Sequence, residues 1–92
     1  MRLDKWLWAA RFFKTRSLAQ QAIDAGRVKL NEQRVKPAHV LKNADSVSIR
    51  VGELEWHVQV KALSDKRGPA EQARKLYEET EMELGQVRRR VE

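Results

Sequence analysis

Apolar positions along this chain repeat first at helical spacing, then every second residue, then at helical spacing again. Across residues 2–13, Leu3, Leu7 and Ala10 fall on one face, flanked by Trp6 and Phe13, which predicts a helix. "KTRS" at 14–17 interrupts the pattern. Residues 17–25, "SLAQQAIDA", predict a second short helix with Leu18, Ala22 and Ala25 as its inner stripe, and Gly26 supplies the left-handed residue that ends it. From there the period is two. Val28 and Leu30 point one way and Arg27 and Lys29 the other, and a turn at 31–33 returns the chain through Arg34, Val35 and Lys36 to Pro37. "SVSIRV" (46–51) and "EWHVQVKAL" (55–63) alternate in the same manner. They place Val47, Ile49, Val51, Trp56, Val58, Val60 and Ala62 inside, with "GEL" (52–54) as a hairpin loop. Gly68-Pro69 then introduces a helix expected over 69–84, with Ala73, Leu76, Tyr77, Thr80 and Leu84 inward. "RRRVE" (88–92) predicts a solvated, disordered end. The expected fold class is α+β: two short N-terminal helices packed on a small, mostly antiparallel sheet, plus a C-terminal helix.

Ninety-two residues suffice for one modest core that buries about two-thirds of the unfolded surface. Residues 1–63 are expected to form the main domain, with 64–92 packing on it or extending from it. The absence of cysteine removes disulfides and thiolate zinc sites and suits a reducing cytoplasm. Charges at Arg2, Asp4, Lys5 and Arg11 break any signal-peptide-like run, and no apolar stretch nears the roughly 20 residues of a membrane span. The expectation is a cytoplasmic protein with no membrane partner.

The net charge of +6 is unevenly distributed. Residues 1–50 carry eleven Lys and Arg against four Asp and Glu, a net +7, whereas residues 51–92 carry eight against nine, a net −1. A one-sided excess of this kind predicts a surface for a polyanion, and nucleic acid is the first candidate.

The first half also gathers the aromatics. Four of the six stand within residues 6–13, "WLWAARFF". On a helical wheel Trp6 and Phe13 join the core stripe, while Trp8 and Phe12 fall on the opposite side, between Lys5 and Arg11. Either later elements cover that second side, or Trp8 stacks on an unpaired base. Lys14, Thr15, Arg16 and Ser17 lead into the second helix, whose first turn offers free N–H groups to a phosphate. Arg27, Lys29, Arg34 and Lys36 share the non-core face of the first hairpin by alternation. Helices and hairpin are therefore expected to converge as one basic surface.

The stretch "RLDKWLWAARFFKTRSLAQQAIDAGRVKLNEQRVKP" resembles the RNA-binding domain first seen in the small-subunit ribosomal protein S-four. Arg2-Leu3-Asp4, Leu7, Arg16-Ser17, Ala19, Ile23, Gly26, Val28 and Asn31 match that pattern over residues 2–51. Leu30 replaces a valine, and Glu32 stands where glycine is common, which predicts a different turn. The same stretch together with "RGPAEQARKLYEET" resembles a family of ribosome-associated heat-shock proteins of fifteen kilodaltons. That resemblance implies docking on ribosomal RNA of the large subunit, with tRNA as a further candidate partner, in stress-linked rescue or recycling of stalled subunits carrying a nascent chain. A related group of quality-control factors built on the same domain is the alternative. The resulting RNA-binding set is Arg2, Lys5, Trp8, Arg11, Lys14, Arg16, Ser17, Arg27, Lys29, Asn31, Arg34 and Lys36.

Other classes fare worse. His39 and His57 lie on different elements without cysteines or paired carboxylates, so no metal, cofactor or catalytic residue is expected. Asp4, in the first helical turn, is expected to complement the helix dipole or pair with an arginine. The four glycines do not cluster into a phosphate loop. A helix-turn-helix reading of DNA would leave only Gln20, Gln21 and Asp24 as polar readers, so weak nonspecific DNA binding is the most expected of DNA. The acidic segment 78–84 is a minor candidate for protein contact. A monomer is expected.

Overall fold

The computed structural model describes residues 1–80 and the backbone of 88–90. Helix α1 spans Leu3–Ala9 and buries Leu3, Asp4, Trp6, Leu7 and Ala9. It ends four residues before the apolar period does. Arg11 takes a left-handed φ of 67°, its N–H bonds Trp8 O, and the Phe12 N–H reaches back to Leu7 O. This closure usually recruits glycine. Because the chain turns there, Phe12 and Phe13 leave the helical wheel. Phe12 packs among Trp6, Trp56 and Tyr77, at ring-centroid distances of 6.2, 5.6 and 4.8 Å.

Helix α2 spans Arg16–Asp24, and Thr15 Oγ1 accepts from the Leu18 N–H at 3.1 Å as its N-cap. It closes as α1 does, with Gly26 at φ 79° and bonds from Gly26 N to Ile23 O and from Arg27 N to Ala22 O. Its inner stripe is Ala19, Ala22 and Ile23, not Leu18, Ala22 and Ala25. Leu18 is 45% exposed. The helix is rotated because Ile23 fills the core while Arg16 and Gln20 turn towards Asp4 of α1.

The strands are β1 (Val28–Leu30), β2 (Gln33–Arg34), β3 (Ser46–Val51), β4 (Leu54–Val60), β5 (Tyr77–Glu79) and β6 (Arg88–Arg90). They pair antiparallel in the order β2-β1-β3-β4-β5, with β6 also on β4. Register matches the alternation. Val28 faces Ile49, Leu30 faces Val47, and Val47 faces Val58, so one sheet face meets the helices. That layer, with Leu3, Trp6, Leu7, Ala19, Ala22, Ile23 and Leu41, is the core. Asn31 and Glu32, at φ 49° and 67°, form the two-residue β1–β2 loop with the paired left-handed residues of a type I′ turn, even though glutamate occupies the second position.

The C-terminal helix is present but short. Helix α3 is Ala70–Ala73, continued by a 3₁₀ turn over Arg74–Leu76. Helical propensity over 77–79 is overridden by the open edge of β4, which pairs Val58 with Glu79 and Val60 with Tyr77. Lys61 and Ala62 donate to Leu76 O, and Trp6 Nε1 donates to Ala62 O at 3.0 Å. Leu84 lies outside the described residues. Arg88–Arg90, expected as a solvated end, pair antiparallel with Leu54, Glu55 and Trp56. Residues 91 and 92 are also outside the described set.

Candidate nucleic-acid interface

The first cluster is built around one carboxylate. Asp4 is fully buried in the first turn of α1, where a negative charge complements the helix dipole. Its Oδ2 accepts from Arg2 Nη2 at 3.0 Å and Gln20 Nε2 at 2.8 Å. Its Oδ1 accepts from Arg2 Nε at 3.1 Å and lies 3.5 Å from Arg16 Nη2. Burial pushes the Asp4 carboxyl up, but the hydrogen bonds from Gln20 and Arg2 and the charges of Arg2 and Arg16 outweigh it and hold its pKa below the ordinary value. The two guanidinium side chains remain 49% and 40% exposed. Each therefore keeps N–H donors beyond those that Asp4 takes, although Arg16 Nε itself is shielded from solvent and has no partner among the described residues.

Two further candidates adjoin this pair. Lys14 and Ser17 are exposed on either side of the Thr15 cap. The cap takes the Leu18 N–H, which leaves the N–H groups of Arg16 and Ser17 at the mouth of α2. Lys36 is exposed next to Pro37, whose carbonyl accepts from Asp4 N. The start of α1, the start of α2 and the segment after β2 thus meet around Asp4.

The other end of α1 differs. Trp8 is half-buried beneath Arg67, whose guanidinium carbon sits 5.8 Å from the ring centroid. Arg67 Nη1 donates to the carbonyls of Trp8 and Phe13. Arg11 Nη1 donates to Gly68 O at 3.1 Å, and Lys5 Nζ is 4.0 Å from Asp65. Burial and the nearby Arg11 charge lower the Arg67 pKa, yet a guanidinium remains protonated at neutral pH. Lys5, Trp8 and Arg11 therefore hold the 64–69 segment against α1, which is the covering of the second side that the helical wheel left open.

The hairpin candidates separate as well. Lys29 and Arg34 are register partners on the outer face of the sheet. Arg34 Nη2 bonds Asp24 O at 2.7 Å and its guanidinium lies over Gly26, leaving little space for a Cβ there. Asn31 donates to Asp45 Oδ1 and accepts from Ser46 N, so its side chain braces the hairpin against β3. Arg27 and Lys29 line a groove on the outer sheet face together with Arg50.

The twelve candidates thus gather around three centres: the Asp4 cluster, the C-terminal end of α1 and the outer face of the first hairpin. Sequence reasoning missed Arg50 and Arg67 as members. Arg50 alternates outward from Ile49, but joining it to Arg27 requires knowing that β1 lies beside β3. Arg67 carries no periodic signal. Among the described residues no group of three or more His, Asp and Glu is arranged to hold a metal ion, and no helix is long and apolar enough to cross a membrane.

A family model described as the S4 domain matches residues 1–47. The chain belongs to the S4 domain family. Over 80 residues it is 50% identical to Heat shock protein 15 of Escherichia coli strain K12, covering 87% of this chain and 60% of that protein. The chain thus spans under two-thirds of the length of this relative. It is 38% identical over 78 residues to the RQC P-site tRNA stabilizing factor of Streptococcus pneumoniae, covering 85% of this chain and 88% of that one. A solved structure of Vibrio cholerae Heat Shock Protein 15, described as trimeric, shares 45% identity and superposes with a TM-score of 0.85 over 87% of this chain and 81% of the other. Both resemblances read from the sequence, and the α+β class, are borne out.

Proposed function

We propose that this S4-domain protein binds structured RNA on the large ribosomal subunit, with tRNA as an additional partner, in the cytoplasm. It acts on stalled subunits that carry a nascent chain and contributes to their rescue or recycling. Residues 1–63 are the RNA-binding unit. The observation that carries this reading is the Asp4 cluster, where a buried carboxylate pins two half-exposed arginines at the mouth of α2, inside the segment matched to the S4 domain. Fixed guanidiniums and free helical N–H groups recognise phosphates through charge-assisted hydrogen bonds. Phosphate contacts supply affinity and the shape of the folded RNA supplies selectivity.

The names of the relatives support the ribosomal setting. "P-site tRNA stabilizing factor" favours a second reading, in which the protein steadies a tRNA on the subunit instead of binding ribosomal RNA alone. Large subunits with and without bound tRNA separate the two, since only the tRNA reading requires the loaded particle. Sedimentation of the free protein tests the expected monomer against the trimer described for the Vibrio cholerae relative. Duplex DNA is expected to compete only weakly.

The decisive experiment is co-sedimentation with large subunits at fixed moderate salt. The double variant Lys14→Glu/Arg16→Gln should bind far more weakly than the native chain. Glutamine is chosen at position 16 because a glutamate would confront Asp4. Neutralising Arg88, Arg89 and Arg90 together should do less. If about six cations meet phosphates, log K should fall with log salt at a slope of roughly −4 to −5. A flat salt response would mean that the basic half serves solubility alone.

A further inference from the structure

The outer face of the sheet, turned away from both helices, carries a groove of about 480 Å³. Two of its cations stand side by side. The bond from Arg50 N to Arg27 O at 2.8 Å sets Arg27 beside Arg50, while Arg34, the register partner of Lys29, turns its guanidinium away to Asp24 O. Like charges opposed across neighbouring strands destabilise a sheet. A local conflict that a fold retains is where a functional contact is expected. The wall of the groove also holds an orphan polar atom. Among the described residues His57 Nε2 has no hydrogen-bond partner and is shielded from solvent, and Glu55 Oε1 stands 3.8 Å away. Buried polar atoms without partners are rare enough to call for an explanation.

The donors lie in a row. Lys29, Ser48 and His57 are register partners on three successive strands, so an ammonium, a hydroxyl and an imidazole follow one another across the sheet at about 4.8 Å per strand. Glu32, in the β1–β2 loop, and Glu55, opposite Arg50, stand on either side of that row along the strand direction. A single polyanionic strand can cross between the two carboxylates. A duplex, which carries a second backbone alongside the first, would bring phosphates against Glu32.

We propose that this groove binds one unpaired RNA strand through its phosphodiester backbone, as a second RNA contact separate from the Asp4 cluster. The proposal rests on the reading of the protein as RNA-binding and adds a second strand to it. Arg27 and Arg50 supply the charge, and the Lys29–Ser48–His57 row supplies the directed donors. Among the described residues no aromatic ring lines the groove, so the contact reads backbone and not bases.

The test uses the full chain and a short oligouridylate as the probe, followed by fluorescence anisotropy at fixed moderate salt. Arg27→Gln/Arg50→Gln should weaken oligouridylate binding by about tenfold or more and flatten its salt dependence. Arg27→Lys/Arg50→Lys, which keeps the charge, should stay within about twofold of the native chain. Lys14→Glu/Arg16→Gln should lose large subunits yet keep most of its oligouridylate affinity. Circular dichroism checks that each variant is folded; if the glutamine pair is not, Arg27→Gln alone must weaken oligouridylate binding several-fold or the groove falls. Undiminished oligouridylate binding by a folded glutamine pair overturns the groove. So does an equal-length RNA duplex that binds with the same dependence on Arg27 and Arg50, or inorganic pyrophosphate that displaces the oligonucleotide at equal concentration. If the groove fails while the Lys14/Arg16 variant still loses large subunits, only the second contact falls. If that variant keeps its large subunits, the functional reading falls instead.

Discussion

The two ends of α1 both gather arginines, and they use them in opposite ways. At the N-terminal end, Arg2 and Arg16 converge on a side chain, the buried carboxylate of Asp4, which anchors the guanidiniums and leaves part of each facing solvent. At the C-terminal end, Arg11 and Arg67 converge on the backbone carbonyls of Gly68, Trp8 and Phe13. Both arrangements suit the helix dipole, which favours an anion at its start and cations at its finish. The difference is plainest between Arg67, spent on the protein's own carbonyls, and Arg2 and Arg16, which stay partly open to solvent around a buried carboxylate. Counting charge near a helix does not distinguish the two; asking which acceptor each N–H already serves does.

The largest effect that separates the ends is expected at Arg67. Arg67→Ala removes two charge-assisted hydrogen bonds to carbonyls and uncovers Trp8, and should cost about 2–3 kcal/mol of stability. Binding to large subunits should change by less than about twofold for the protein that remains folded. Thermal melts run beside co-sedimentation check this. An unchanged melting temperature with lost binding would reverse the assignment and make the C-terminal end of α1 the RNA contact.

A smaller effect is expected at Asp4. Asp4→Asn keeps the shape and can keep the bond from Gln20, but removes the charge that pins Arg2 and Arg16, at a cost of about 1–2 kcal/mol near neutral pH. The carboxylate pKa is lowered in the folded protein, so the unfolded chain takes up its proton first as pH falls. The stabilisation is complete above the unfolded pKa of about 3.9 and is lost as pH drops through the folded value. Denaturant melts at a series of pH values should therefore show a steeper acid decline for the native chain than for Asp4→Asn. Identical declines would mean that Asp4 is no anchor. Binding of large subunits should also weaken several-fold, because freed arginines must be ordered again by the RNA.

The sequence carried much of this fold and less of the site. Alternation placed β1, β3 and β4 because each buries one face, and burial follows period two directly. Gly26 announced the end of α2 because glycine is the residue that usually takes that left-handed position. The identical closure of α1 was hidden because Arg11 fills it, and the helix was extended to Phe13. Residues 77–79 looked helical because propensity is local, whereas the edge of β4 that recruits them is fifteen or more residues away in sequence. The Asp4 partnership was legible in kind, as a carboxylate paired with arginine, but not its reach to Gln20 and Arg16. The gathering of the twelve candidates around three centres was not legible at all. Alternation says that a cation points outward; it does not say which carbonyl or carboxylate waits there.

Arg11 gives the smallest effect and the finest test of the contrast between the ends. A non-glycine residue in the left-handed region costs about 1 kcal/mol, which Arg11→Gly would relieve. The same change removes the exposed bond from Arg11 Nη1 to Gly68 O, worth about 0.5–1 kcal/mol, and adds backbone entropy to the unfolded chain. These contributions nearly cancel, so the melting temperature should move little in either direction. Such a neutral variant is useful because it deletes a cation without disturbing the fold. If the C-terminal end of α1 only fastens the 64–69 segment, Arg11→Gly should bind large subunits like the native chain, with an unchanged salt slope. Were Arg11 a phosphate contact, the slope would become shallower by about 0.7–0.9 and affinity would fall with it. A salt titration of this one variant thus reads whether the arginines at that end serve the protein or the RNA.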